Sequence, residues 1–208
     1  PAGVSYEQAA VVPCALGTAY HGLQKVAAVQ PGEAVLITGA SGGVGIHAVQ
    51  VARMLGARTI AVTTSEAKRA FLVEHGADDV IVSPDLDFAA QARALTGGAG
   101  VDVVFNIVGQ MAWAAALKGM ALGARHVFVG NLNAAPVSLR PAHAILKEMS
   151  FLGTDGVTLA EVETLLELVR LGRLKPVVGG ALLPAWALRR GDNEIGRASC
   201  RERVFGYV

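Results

Sequence analysis

A doubly wound parallel α/β sheet is the fold that this 208-residue chain predicts, and three observations carry the expectation. Short apolar runs alternate with segments of helical period along most of the length. The run Val35, Leu36, Ile37 is apolar without interruption, as befits a strand covered by helices on both faces. A glycine-rich turn, A-S-G-G-V-G at 40–45, then joins that strand directly to an amphipathic segment at 46–55.

The remaining elements follow in order. Ser5, with Glu7 and Gln8 in the next turn, opens a first helix ahead of the strand at 35–37. Residues 58–63 (R-T-I-A-V-T) make a β-branched second strand, and 66–75 a helix ending at Gly76. A short third strand at 79–82 precedes a helix at 85–96, stopped by Gly97 and Gly98. The fourth strand is 101–105; 110–120 is helical, its end loosened by Gly119 and Gly123; the fifth strand is 126–129, ending at Gly130. A short helix at 142–147 leads to a sixth strand at 150–153. Leu159, Val162, Leu165, Leu166, Val169 and Leu171 then form the packed stripe of a last helix. Beyond it, 176–183 is apolar and Gly-rich and leaves the sheet region. Right-handed crossovers put helices on both faces and a ligand at the carboxyl ends of the strands, where their order reverses.

Composition narrows the function classes. Hydrophobic residues make up 52% and charged residues 17%, which describes a packed globule. Eighteen basic against seventeen acidic residues leave no basic field, so neither nucleic acid nor an anionic membrane is an expected partner. The long uncharged stretches are interrupted by Pro, Gly and His, and none reads as a membrane span or a secretory signal. Cys14 and Cys200 make no disulfide framework, which suits a reducing cytoplasm. Residues 194–204, E-I-G-R-A-S-C-R-E-R-V, break the apolar periodicity and coincide with the translation of a sequencing adapter, so 194–208 is expected to be foreign. Cys200 would then carry no meaning.

The glycine turn implies chemistry. Gly42 lets backbone approach a pyrophosphate, Gly45 lets the helix pack closely on the strand, and Ala40 stands where the first glycine of such turns usually lies. Around Ser41 and Gly43 the helix N-terminus offers unpaired N–H groups and a partial positive charge to phosphates. Strand, turn and helix together give the context that a dinucleotide site requires.

Four motifs then resemble the medium-chain dehydrogenase/reductase family: P-C-A-L-G-T-A-Y-H-G-L at 13–23, the turn with its strand, G-A-D-D-V-I at 76–81 and G-V-D-V-V-F-N-I-V-G at 100–109. V-G-N at 129–131 and L-K-E-M-S-F-L-G at 146–153 are similar to its zinc-type alcohol dehydrogenase and acryloyl-CoA-reductase-like branch. The resemblance implies a Rossmann cofactor domain at 24–175, preceded by a linker helix (1–23) from a GroES-like catalytic domain upstream and followed by a short return toward that domain (176–193). By resemblance, Cys14 matches the third ligand of a catalytic zinc in the intact parent, and Thr18 and Val44 flank the nicotinamide. The resemblance likewise implies that Val108, Gly109, Val129, Gly130, Asn131, Thr154 and Asp155 line the cofactor from the strand ends.

Cofactor choice is read about 20 residues past the glycine turn. Thr64 stands there, followed by Ser65, Glu66, Lys68 and Arg69, so hydroxyls and cations favour the 2′-phosphate of NADP over NAD. Among the histidines only His21, one turn past Thr18 and two past Cys14, invites a functional reading; a surface or capped histidine is the alternative. The expected function is hydride transfer between a nicotinamide and a small alcohol, carbonyl or activated alkene. A zinc-free quinone or enoyl-thioester reductase and a dinucleotide-binding module without chemistry are the competing readings. The edge around 126–153 is where two copies would pair as a homodimer.

Overall fold

The computed structural model describes residues 3–178 of the chain. The expectations for 194–208 and for most of 176–193 therefore lie outside the described residues. Six parallel strands, β1 (Ala34–Thr38), β2 (Arg58–Thr63), β3 (Asp79–Val82), β4 (Val101–Asn106), β5 (Met120–Phe128) and β6 (Ser150–Gly153), form one sheet in the order 3-2-1-4-5-6. The order reverses between β1 and β4, which pair from Val35 with Val103 to Thr38 with Asn106. Strand β1 is buried along its whole length, which explains its unbroken apolar run.

Helices cover both faces. One apolar cluster joins Val35, Ile37, Val103 and Phe105 to α3 (Gly43–Met54), α4 (Arg69–Glu74) and α8 (Leu159–Arg170). The other joins Leu36, Ile60, Val62 and Val104 to α5 (Ala89–Leu95) and α6 (Gln110–Gly119). The exposed α7 (Pro141–Lys147) is tied to β5 by the Lys147 ammonium, which donates to the Met120 carbonyl at 2.9 Å. Among the described residues no helix is long and apolar enough to cross a membrane.

The N-terminal segment is helical from Tyr6 to Val26: α1 (Tyr6–Val11), a π-helical stretch (Val12–Leu16), α2 (Gly17–Tyr20) and a second π-helical stretch (His21–Val26). Ser5 opens it with a capping box, accepting from Gln8 N while the Gln8 side chain accepts from Ser5 N. Pro13 supplies no N–H to an α-helical ladder, and the widened turn begins there. Val12, Leu16, Ala19 and Leu23 are fully buried against the first apolar cluster.

Three elements differ from expectation. Strand β5 starts at Met120, where a helix end was expected, and pairs with Val101 before its register shifts; Gly123 turns at φ +71 and pairing resumes at Arg125. Gly100 permits this approach, because a side chain there would lie 2.7 Å from the Ala121 nitrogen. Helix α5 starts four residues later than expected. Asp85 accepts from Ser83 Oγ and Asp87 N, and Leu86 sits at φ +60, so 83–87 is a turn. The expected helix at 66–75 is a 3₁₀ turn (Glu66–Lys68) followed by α4.

Candidate functional site at the carboxyl ends of the strands

The glycine turn lies at the carboxyl end of β1, beside the point where strand order reverses. Gly42 is the N-cap of α3 in an extended conformation (φ −82, ψ 173) with no side chain capping the helix, so no cap hydrogen bond occupies the first-turn N–H groups. A Cβ at Gly42 would meet only the Gly39 carbonyl, at 3.3 Å. Gly45 is different: its Cβ would lie 2.6 Å from Ala40 Cα and against the Gly39 oxygen. The two glycines thus differ: Gly45 sits in close backbone packing, whereas the space beside Gly42 is open apart from the Gly39 carbonyl. The positive φ of the turn falls at Gly39 (φ +62), a position that the motif reading passed over. Ala40 is buried and donates to the Val62 carbonyl at 3.2 Å, while Ser41, Gly43 and Val44 remain partly or fully exposed.

The turns after β4 and β5 close on it. A side chain at Gly39 would lie 3.1 Å from Val108, and one at Gly109 would lie 2.6 Å from both the Asn131 Cα and its side-chain oxygen. A Cβ on Gly130 would strike the Ile107 carbonyl. Val129 N–H donates to the Asn106 carbonyl at 3.0 Å, so the two turns are joined backbone to backbone. After β6, Thr154 N–H donates to the Phe128 carbonyl at 3.1 Å, and its methyl stands 3.2 Å from where a Cβ on Gly22 would lie. The N-terminal helix therefore reaches the same end of the sheet, carrying the half-buried Thr18 and the exposed Cys14.

Under these turns lies a buried polar group that sequence reasoning missed. Thr38 Oγ1 donates to Asn106 Oδ1 at 2.9 Å and accepts the Ile107 N–H at 3.0 Å. Asn106 also accepts from Gly109 N and donates to Gly109 O, each at 3.0 Å. His126 Nε2 lies 3.3 Å from Asn106 Nδ2, and burial pushes the imidazole pKa down to about 4. The only local signal was polar residues ending two apolar strands.

Past β2, Thr64 is exposed and Ser65 half-buried, with Ser65 N–H donating to Thr63 Oγ1 at 3.4 Å. Arg69 holds both Glu66 oxygens, at 2.5 and 3.1 Å, and donates to the Val80 carbonyl, while Lys68 is exposed. His21 is half-buried: Nδ1 meets both Glu161 oxygens at 3.0 Å, which ties the N-terminal helix to α8. Among the described residues no three His, Cys, Asp or Glu side chains converge as a metal site would require, and Cys14 belongs to no such group.

A cavity of about 840 Å³ lies at the opposite end of the sheet, where α3 and α4 finish and the chain leaves α8; Gln50, Arg53, His75, Arg173 and Lys175 line it. Helix C-termini converge there, and cations beside them offset the partial negative charge of the last carbonyls. Gln50 exchanges two 2.9 Å hydrogen bonds with the Lys175 backbone, and Val177 N–H donates to His47 Nε2 at 3.0 Å.

Residues 43–170 match the zinc-binding dehydrogenase family. The chain is 39% identical over 183 residues to the acryloyl-coenzyme A reductase of Sulfurisphaera tokodaii, covering 88% of this chain and 53% of the relative. Its fold superposes on the crystal structure of AibC with a TM-score of 0.81 at 50% identity, covering 84% of this chain and 49% of that one. An NAD-dependent alcohol dehydrogenase superposes with a TM-score of 0.80 at 33% identity, covering 85% and 52%. The chain thus spans about half the length of the proteins it matches. With a parallel 3-2-1-4-5-6 sheet, a glycine turn at its reversal point and a family match across most of the sheet, the chain belongs to the zinc-binding dehydrogenases of the medium-chain dehydrogenase/reductase family.

Proposed function

We propose that this chain is the nicotinamide-dinucleotide-binding part of an oxidoreductase that moves hydride between C4 of the nicotinamide and a small alcohol, carbonyl or activated alkene. The observation that carries this reading is the uncapped N-terminus of α3 behind an open Gly42, at the carboxyl end of β1. The cofactor supplies the hydride chemistry, and the protein's part is to bind and orient it. Gly42, Gly43 and the first-turn amides of α3 would hold the pyrophosphate. Thr18 and Val44 would flank the nicotinamide, with Val108, Gly109, Val129, Gly130, Asn131 and Thr154 turning backbone groups toward its carboxamide. Cys14 would supply one thiolate to a catalytic zinc in the intact parent, where the metal would polarise the substrate oxygen.

NADP is the preferred cofactor in this reading. Glu66, the carboxylate two residues past Thr64, is held by Arg69, leaving the exposed Thr64 and Lys68 to meet a 2′-phosphate. The acryloyl-coenzyme A reductase relative favours an α,β-unsaturated thioester as the hydride acceptor. Exposed Ile145 and Leu146, on the helix that leads into edge strand β6, support pairing of two copies, which sedimentation velocity would show as a dimer.

Fluorescence titration with NADPH tests the reading. The chain is expected to bind NADPH without turning over alcohols or enones. Gly42→Val should fold, because its φ suits any residue, yet bind at least about 30-fold more weakly, some 2 kcal/mol. Equal binding by the variant would remove the phosphate from this turn, and turnover by the chain alone would show that it already carries a substrate site.

A further inference from the structure

Asn106 ends β4 with its side chain fully buried, and the neighbouring backbone fixes which way the amide faces. The Gly109 N–H meets one amide atom at 3.0 Å, which must be the oxygen; the Gly109 carbonyl lies 3.0 Å from the other, which must be the nitrogen. The second Nδ2 proton then faces His126 Nε2 at 3.3 Å. That ring nitrogen is therefore an acceptor, and the proton of the neutral imidazole sits on Nδ1. Nδ1 has no hydrogen-bond partner among the described residues. The ring packs edge-on to Trp113 at 5.0 Å and against Phe128 at 4.3 Å. A phenyl ring would fill this aromatic cluster without burying a polar group, so packing alone does not require histidine. What the imidazole adds is an acceptor for Asn106.

We propose that His126 is a positioning residue for the nicotinamide cofactor: its Nε2 completes the hydrogen bonding of Asn106, and Asn106 holds the Gly109 peptide that shapes the cleft between β1 and β4. The inference rests on the dinucleotide reading above. Gly109 is the link, because it caps α6 at φ +79, ψ −132, a conformation that residues other than glycine rarely adopt, and Asn106 holds both its N–H and its carbonyl. A protonated ring would turn an N–H toward the Asn106 amide, setting two donors face to face. Only the neutral ring does this work, and its burial keeps it neutral.

The test uses the whole chain with NADPH as probe. His126→Phe keeps the ring shape and removes the acceptor; the NADPH dissociation constant is expected to rise about tenfold, with faster hydrogen exchange at the Gly109 amide. Val169→Ala, a core truncation on α8, should lower the melting temperature yet leave NADPH binding within about twofold. Nitrogen-15 shifts of the His126 ring in the unsubstituted chain should show Nδ1 protonated and Nε2 bare between about pH 6 and 8. Unchanged NADPH binding by folded His126→Phe overturns the proposal. So does a protonated Nε2, which decides the matter even if the variant fails to fold. If the unsubstituted chain does not bind NADPH, the cofactor reading falls, whereas the tautomer and the Gly109 exchange rate still report whether His126 positions the turn.

Discussion

The two ends of the sheet are served by the same helix and present opposite things. At the carboxyl end α3 begins: no side chain caps its N–H groups behind Gly42, and the turns after β1, β4 and β5 touch through Gly39, Gly109 and Gly130. At the amino end α3 finishes beside the 840 Å³ cavity, where Arg53, Arg173 and Lys175 gather around helix C-termini. Cavity volume would direct a ligand to the amino end. Helix polarity and backbone approach direct an anionic dinucleotide to the carboxyl end, whereas the cations of the amino end already stand beside helix C-termini. The lesson is that the direction of a helix weighs more than the size of the hole beside it.

The sharpest way to break this comparison is to perturb each end in turn. Gly45→Val drives a side chain into Ala40 Cα and the Gly39 carbonyl, so it should cost at least about 3 kcal/mol, or roughly 6–12 °C in melting temperature. Arg53→Ala at the cavity should cost under about 1 kcal/mol. Equal losses in thermal melts would erase the distinction between a tightly built end and a loose one.

A second effect of nearly that size is pH dependence. The folded His126 titrates near 4 and the unfolded one near 6.5, so below pH 6.5 the unfolded chain takes up a proton that the folded chain refuses. Stability should therefore be full above about pH 6.5 and fall by about 3 kcal/mol as the pH drops to about 4. His47, also lowered by burial, adds a slope of the same sign. Urea unfolding across this range should be visibly flatter for His126→Phe; an identical slope would mean that the imidazole is not buried as described.

The smallest expected effect lies at the rim. Thr64→Asp should shift the ratio of NADPH to NADH dissociation constants about tenfold toward NADH, because a carboxylate accepts from the ribose hydroxyls and repels a 2′-phosphate. An unmoved ratio would place the ribose elsewhere.

What could be read from the residues was local. Strand β1, its glycine turn and α3 are contiguous, and apolar run, small residues and helical period all point to one answer there. What escaped was set by partners distant in sequence. Met120 reads as the end of a helix until Val101 pairs with it across the sheet. Asp85 reads as a helix start until its carboxylate is seen closing a turn on Ser83. Thr38, Asn106 and His126 are three polar residues in apolar strands, 68 and 20 positions apart, and no spacing rule gathers them. Gly39 was overlooked because the motif reading began at Ala40, although the reversed φ belongs to the residue before it.

The most direct measurement is a backbone amide NMR titration of the chain with NADPH, which reports on both ends of the sheet in one experiment. The account predicts shifts at Ala40 to Gly45 and Ile107 to Gly109, with Gln50, Arg53, Arg173 and Lys175 unmoved. Shifts confined to the cavity residues, with the glycine turn silent, would contradict it.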